Sequence, residues 1–140
     1  MHILFVCQGN VNRSQMAATI MRALRPDIEV VSAGVMAENA GDMVSDVSEK
    51  GIEVMKELGY DMSHNKISQL EPQMVDAAER VILMGELPES AAPDYLKNSP
   101  KLETWDVPDP GYGHITHAAA RDMILEKVKD LAERVGHEHK

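Results

Sequence analysis

Cysteine is almost missing from this chain: among 140 residues there is one, Cys7, so no disulfide can form within it. A lone thiol fits a reducing compartment, where thiols persist as thiols. Aromatic residues are scarce too, with one Trp, one Phe and three Tyr against ten Met. The core is therefore expected to be aliphatic with flexible methionine filler, Met16, Met21 and Met55 among it. Basic residues are outnumbered, 14 against 23 acidic ones, for a formal net charge of −9, which argues against nucleic acid or an anionic membrane as the main partner. No apolar run approaches the ~20 residues of a membrane span, and no internal repeat or low-complexity segment is found. Neither a basic leader nor an apolar signal region precedes the first apolar run, so a cytoplasmic protein is expected. The length suits a single domain over residues 1–140 with a proper core.

Against that background one stretch is dense in chemistry: Cys7-Gln8-Gly9-Asn10-Val11-Asn12-Arg13-Ser14. It follows the apolar run Ile3-Leu4-Phe5-Val6 and precedes residues 15–24, whose apolar positions suit a helix face. Strand, tight loop, helix is the arrangement of an anion cradle. Loop amides and a helix N-terminus supply partial positive charge, and Arg13 supplies a planar fork for a tetrahedral oxyanion. The same field favours an anionic sulfur, so Cys7 is expected to act as a nucleophile. Gly9 permits close backbone approach, Asn10 tolerates a left-handed conformation, and Ser14 is able both to cap the helix and to donate to a sulfur. The positive potential must then be local, since the chain as a whole is acidic.

Further along, Arg25-Pro26-Asp27 breaks the first helix, and Ile28-Glu29-Val30-Val31 reads as a short strand ending at Ser32-Ala33-Gly34. Residues 35–43 read as a loop bordering the site. Val44 to Leu58 has helical spacing, interrupted by Gly51 and stopped at Gly59. Tyr60 to Ser68 is polar and holds His64; Leu70 to Ala78 reads as a short helix with Pro72 in its first turn. Arg80 to Met84 is a third strand. Residues 86–100, with Pro88, Pro93 and Pro100, form an excursion containing one helical turn near 91–96. Lys101 to Trp105 is a fourth strand, and the Asp106–Gly113 segment is too rich in proline for regular structure. Residues 115–135 form the clearest helix, with Ala120, Ile124, Val128, Leu131 and Val135 in one stripe. Strands alternating with helices predict an open parallel sheet with helices on both faces. In such sheets ligands bind beyond the strands' carboxyl ends, where Cys7, Ser32, Met84 and Asp106–Asp109 fall.

A cysteine attacking a phosphate ester needs a proton donor for the departing oxygen. Asp106 and Asp109 both qualify: the first is nearer the strand, the second is stiffened by Pro108 and Pro110. His64 reads as a general base, a surface residue or a hydrogen-bond partner of the loop, and a lone polar histidine is most often the second. His137 and His139 lie two apart near the chain's end with no third ligand, so no metal site is expected.

Taken together, Val6 to Ser14 resembles the phosphate-binding loop of low-molecular-weight protein tyrosine phosphatases. Ser32-Ala33-Gly34, His64, Val81–Met84 and Asp109-Pro110 follow in that family's order, over nearly the whole chain. The resemblance implies a three-layer α/β sandwich with a four-stranded parallel sheet and the phosphate-binding loop directly after the first strand. It also implies Cys7 as nucleophile, Arg13 as phosphate clamp and Asp109 as general acid, with Gln8, Gly9, Asn10, Val11 and Asn12 surrounding the phosphoryl group. Asn10, Ser14, Ser32 and His64 match the hydrogen-bonded set that holds the loop and supports the thiolate. The implied reaction is phosphomonoester hydrolysis through a phosphocysteine, without metal or cofactor, on a phosphorylated protein or small phosphomonoester. A monomer or weak dimer is expected.

Two other readings accompany it. Arg13-Ser14-Gln15-Met16-Ala17 is especially similar to the loop of cysteine-type arsenate reductases, which share the fold. The thioredoxin-coupled members use two further cysteines, so a reductase built on this chain would require an external thiol such as glutathione or mycothiol. A binding module for phosphate or phosphoproteins, of weak activity, is the third reading. Relatives acting on phosphotyrosine flank the slot with aromatics, whereas residues 35–43 hold none and Gly111 follows Asp109-Pro110; a thin-walled slot is expected. Asn12 stands where some relatives carry a second, protective cysteine, which leaves Cys7 open to irreversible oxidation.

Overall fold

The computed structural model describes residues 1–85, 87 and 91–136. Pro88 of the proline-rich excursion and the pair His137 and His139 lie outside the described residues. The order of elements is β1 (His2–Cys7), α1 (Arg13–Leu24), β2 (Glu29–Gly34), α2 (Val44–Val47), α3 (Glu49–Lys56), α4 (Pro72–Ala77), β3 (Arg80–Met84), α5 (Asp94–Lys97), β4 (Leu102–Trp105) and α6 (His117–Gly136). The four strands form one parallel sheet in the order β2-β1-β3-β4. Every strand has the same direction, so all carboxyl ends share one edge. The chain moves outward from β1 to β2 and then returns to place β3 on β1's other side. That reversal opens a crevice beyond β1, where ligands of such sheets bind.

Alternation along the strands divides the core in two. Ile3, Phe5 and Cys7 of β1 face one side, together with Ile82, Met84 and Trp105, and are covered by the apolar stripes of α1, α3 and α6. Leu4 and Val6 face the other side with Val81 and Leu83, under Leu70, Val75 and Leu96 from the α4–α5 side. Both faces of the sheet are therefore buried, which is why its strands read as near-continuous apolar runs. This is the expected three-layer sandwich. Met16, Met21 and Met55 are fully buried in the larger cluster, as are all five residues of the α6 stripe. Among the described residues no helix is long and apolar enough to cross a membrane.

The structure differs from the sequence expectation in three places. The 44–58 helix is two helices, α2 and α3, because Ser48 leaves helical geometry (φ −134°, ψ 84°) and its hydroxyl accepts from Gly51 N as the cap of α3. β2 runs on through Ser32-Ala33-Gly34, since Gly34 pairs with Cys7 and its N–H donates to Ser68 O. The Asp106–Gly113 segment is not wholly irregular: Pro110–Tyr112 forms a 3₁₀ turn capped by Asp109, whose Oδ1 accepts from Gly111 N at 2.8 Å.

Candidate active site

β1 ends on Cys7 and α1 begins at Arg13, so the loop between them must turn within residues 8–12. Asn10 achieves the turn in the left-handed region, at φ 58°, and its N–H donates to Cys7 Sγ at 3.3 Å. Its side chain is fully buried and its orientation is fixed by its neighbours. Asn10 Oδ1 accepts from Ser68 N (2.8 Å) and from Gln15 Nε2 (3.0 Å), so the amide nitrogen must face the other way, where it donates to Ser14 Oγ at 2.7 Å. Ser14 Oγ, which accepts from Asn10, stands 3.0 Å from Cys7 Sγ, close enough to give its own hydrogen to the sulfur when that is a thiolate. Ser14 accordingly lies inside the first turn of α1 rather than capping it, and Asn12 is the residue at the cap position. Asn12 makes no capping hydrogen bond; its Oδ1 accepts instead from Ser48 Oγ at 2.9 Å.

Arg13 is 5% exposed and held from beneath. Its Nη1 donates to Met84 O (3.1 Å) and Val107 O (2.9 Å), carbonyls at the ends of β3 and just past β4. Gly85 makes this seat possible. It adopts φ +79°, and a Cβ there would collide with Arg13 Nη1 and lie 3.0 Å from Val107 O. Gly34 has a similar function on the other flank, where an added Cβ would fall 2.7 Å from Asn10 N. With Nη1 so anchored, Nη2 reaches Asp109 Oδ2 at 3.4 Å.

A cavity of about 410 Å³ opens over the loop, lined by Cys7, Arg13, Met36, Glu38, Asn39 and Asp109 among others. Gln8, Gly9, Val11 and Asn12 also face it. Asp106 is exposed and borders a neighbouring cavity, with His114 and the opposite side of Asp109. The slot wall from residues 35–43 is Met36, Glu38 and Asn39, without an aromatic ring. Beside Asp109 stands His117, at the start of α6. Burial holds its ring toward the neutral form, the Lys50 ammonium adds to this, and the Asp109 carboxylate partly opposes both.

Two residues expected to support the loop make no hydrogen bond to it among the described residues. His64 is exposed, in the turn where Ser63 bonds Asp61, and donates nothing to residues 7–14 among the described contacts. Ser32 is buried in β2 beside Phe5 and has no side-chain hydrogen bond among the described residues. The supporting positions belong instead to Gln15, Ser48 and the backbone of Ser68. The available signal was Gln15, an amide directly before Met16-Ala17-Ala18 in a helix otherwise turned to the core.

Sheet order, loop and seated guanidinium define a class: a parallel α/β protein whose oxyanion cradle joins its first strand to its first helix and carries a thiol at its base. Residues 2–140 match the model of the low molecular weight phosphotyrosine protein phosphatase family, and the chain belongs to that family of cysteine-based, metal-independent hydrolases. It is 34% identical to a protein-arginine-phosphatase of Geobacillus stearothermophilus, over 95% of each chain. It is 32% identical to arsenate reductase 1 of Staphylococcus epidermidis, over 95% of this chain and 96% of that one. Among solved structures, the arginine phosphatase YwlE with a phosphorylated active-site serine superposes with a TM-score of 0.82 at 26% identity, covering 97% of this chain and 96% of that chain. The protein is a phosphatase-type enzyme working through a cysteine.

Proposed function

We propose that Cys7 is the nucleophile, Arg13 the phosphoryl clamp and Asp109 the general acid and base of phosphate-ester hydrolysis on a phosphorylated protein or small phosphomonoester. The Cys7 thiolate attacks phosphorus in line, the Sγ–P bond forms, and the P–O bond to the leaving group breaks. Protonated Asp109 gives its proton to the departing oxygen. Asp109, now ionised, takes a proton from water as that water attacks phosphorus; the P–S bond breaks and the electron pair returns to Sγ, releasing phosphate. Arg13 and the amides of residues 8–13 hold the equatorial oxygens throughout, where donors fixed before the reaction stabilise its developing charge. Asn10 and Ser14 keep a hydrogen aimed at the sulfur whenever it is anionic.

The observation that carries this reading is that thiol, guanidinium and carboxylate line one cavity, with Arg13 Nη2 3.4 Å from the carboxylate. Aryl phosphate hydrolysis tests it: Cys7→Ser is expected to lose turnover and keep oxyanion binding, and a variant with wild-type turnover overturns the assignment.

The relationship to an arsenate reductase favours one further reading at the same cradle. Arsenate would bind as phosphate does, and Cys7 would form a sulfur–arsenic bond as one As–O bond breaks and that oxygen leaves, protonated, as water. A second thiol, supplied from outside because the chain has one cysteine, would attack Cys7 Sγ to give a mixed disulfide and release arsenite. Arsenate turnover with a panel of small thiols, run beside the phosphatase assay, separates the two activities.

A further inference from the structure

We infer that Gln15 is a positioning residue for Cys7, acting through Asn10 and Ser14; the inference rests on Cys7 being the nucleophile. Gln15 is 1% exposed and every polar atom of its amide is used. Nε2 donates to Lys66 O at 2.9 Å and is shared between Asn10 Oδ1 at 3.0 Å and Asn10 O at 3.2 Å. Backbone carbonyls only accept, so this end of the amide must be the nitrogen. Oε1, at the other end, accepts from Asn65 Nδ2 at 3.2 Å, and Asn65 is itself held by Thr19 Oγ1 one turn further along α1.

The arrangement ties the cradle loop and the first turn of helix α1 to the strip 65–68, about 50 positions away, at one amide. Its consequence is directional. Gln15 and Ser68 together occupy both lone-pair directions of Asn10 Oδ1, which forces Asn10 Nδ2 toward Ser14; with one lone pair of Ser14 Oγ so engaged, the hydroxyl is oriented to donate its hydrogen to Cys7 Sγ when the sulfur is anionic and can only accept. Without Gln15 the Asn10 amide has one partner on its oxygen, and the Ser14 hydroxyl is less firmly directed. Gln15 itself lies behind the loop, outside the residues lining the cradle cavity, so it acts only through its neighbours.

A double-mutant cycle on Cys7 alkylation by iodoacetamide at fixed pH tests this, with kcat and KM for an aryl phosphate measured in parallel. Gln15→Met keeps the length of the side chain and removes its donors. It is expected to slow alkylation and kcat by roughly tenfold, the effect of losing one buried hydrogen bond, with KM changed much less. In the Ser14→Ala background the same substitution is expected to add almost nothing, because the path it acts through is already cut. Should Gln15→Met fold poorly, Asn65→Ala, at a partly exposed position, is expected to shift both rates the same way by a smaller factor. Wild-type rates in Gln15→Met, or penalties that add in full to those of Ser14→Ala, overturn the inference. Alkylation does not require turnover, so a protein that fails to hydrolyse the ester but obeys the cycle would defeat the proposed function while showing that Gln15 positions a reactive Cys7 thiolate.

Discussion

Arg13 Nη2 lies 3.4 Å from Asp109 Oδ2, while the other terminal nitrogen of the same guanidinium is fixed on Met84 O and Val107 O. The guanidinium therefore has one anchored arm and one that faces Asp109, the arm that the proposed mechanism gives to a phosphoryl oxygen. In the proposed mechanism a phosphoryl group taking that arm would turn Asp109 from ion-pair partner into proton donor. Asp109→Ala is expected to lower kcat by about 10²–10⁴-fold, the usual range for a general acid, and more steeply for alkyl than for aryl esters. Asp106→Ala, at an exposed position outside the cradle cavity, is expected to leave that dependence unchanged. The check is a leaving-group series for both variants; a steeper dependence in Asp106→Ala alone would reverse the roles.

Gly85 supports the anchored arm. Its φ of +79° and the contact an added Cβ would make with Arg13 Nη1 together predict that Gly85→Ala is strained and displaces the guanidinium. Strain of this kind costs on the order of 1–3 kcal/mol of stability. Urea denaturation measures that loss, and steady-state kinetics on the folded variant should show a fall in kcat/KM.

Ser48 joins a helix cap to the cradle: its oxygen accepts from Gly51 N and its hydrogen goes to Asn12 Oδ1. Ser48→Ala is expected to cost about 1 kcal/mol as a lost cap. It should also weaken binding of an oxyanion inhibitor, because Asn12 is released. A stability loss without any change in inhibitor affinity would show that the Asn12 bond is incidental.

His117 predicts a pH effect. Its pKa is held below the ordinary value of 6.5 by burial first and then by Lys50, with Asp109 opposing. The folded protein thus binds the His117 proton less readily than the unfolded chain. Its contribution is fully present above that ordinary value and is lost as pH falls through the lower folded value. Thermal unfolding between about pH 7.5 and about pH 5 should show a smaller loss of Tm in His117→Gln than in the wild type, within the window where histidine titrates. An equal loss would contradict the assignment.

How much of this was legible in the chain follows from the range of each interaction. The four strands and the cradle were readable because each is signalled locally, by an apolar run or by a loop whose residues sit beside one another; the local pattern offered Asp106 and Asp109 alike, and the structure puts Asp109 on the cradle cavity. Asn10 and Ser14 were readable for the same reason, four residues apart on one turn. Ser68 and Ser48 were not, since their bonds to the loop cross 58 and 36 positions, and no local pattern shows which polar residue a fold will return to a loop; Gln15 lies five positions from Asn10 and was locally visible, but its tie to Lys66 O, 51 positions away, was not. His64 illustrates the converse: order along the chain suggested a support, whereas the 60–68 segment turns that ring to solvent and brings the Ser68 backbone to Asn10 instead. The break between α2 and α3 was hidden by apolar spacing that continues across Ser48, which a cap interrupts without disturbing the pattern.

The most direct test is acid quenching of the wild-type protein during turnover of an aryl phosphate, followed by peptide mapping of the phosphoryl group. The account predicts a phosphoryl group on the sulfur of Cys7, appearing within the first turnover and disappearing when substrate is exhausted. Steady hydrolysis with Cys7 unmodified at every quench time would contradict it.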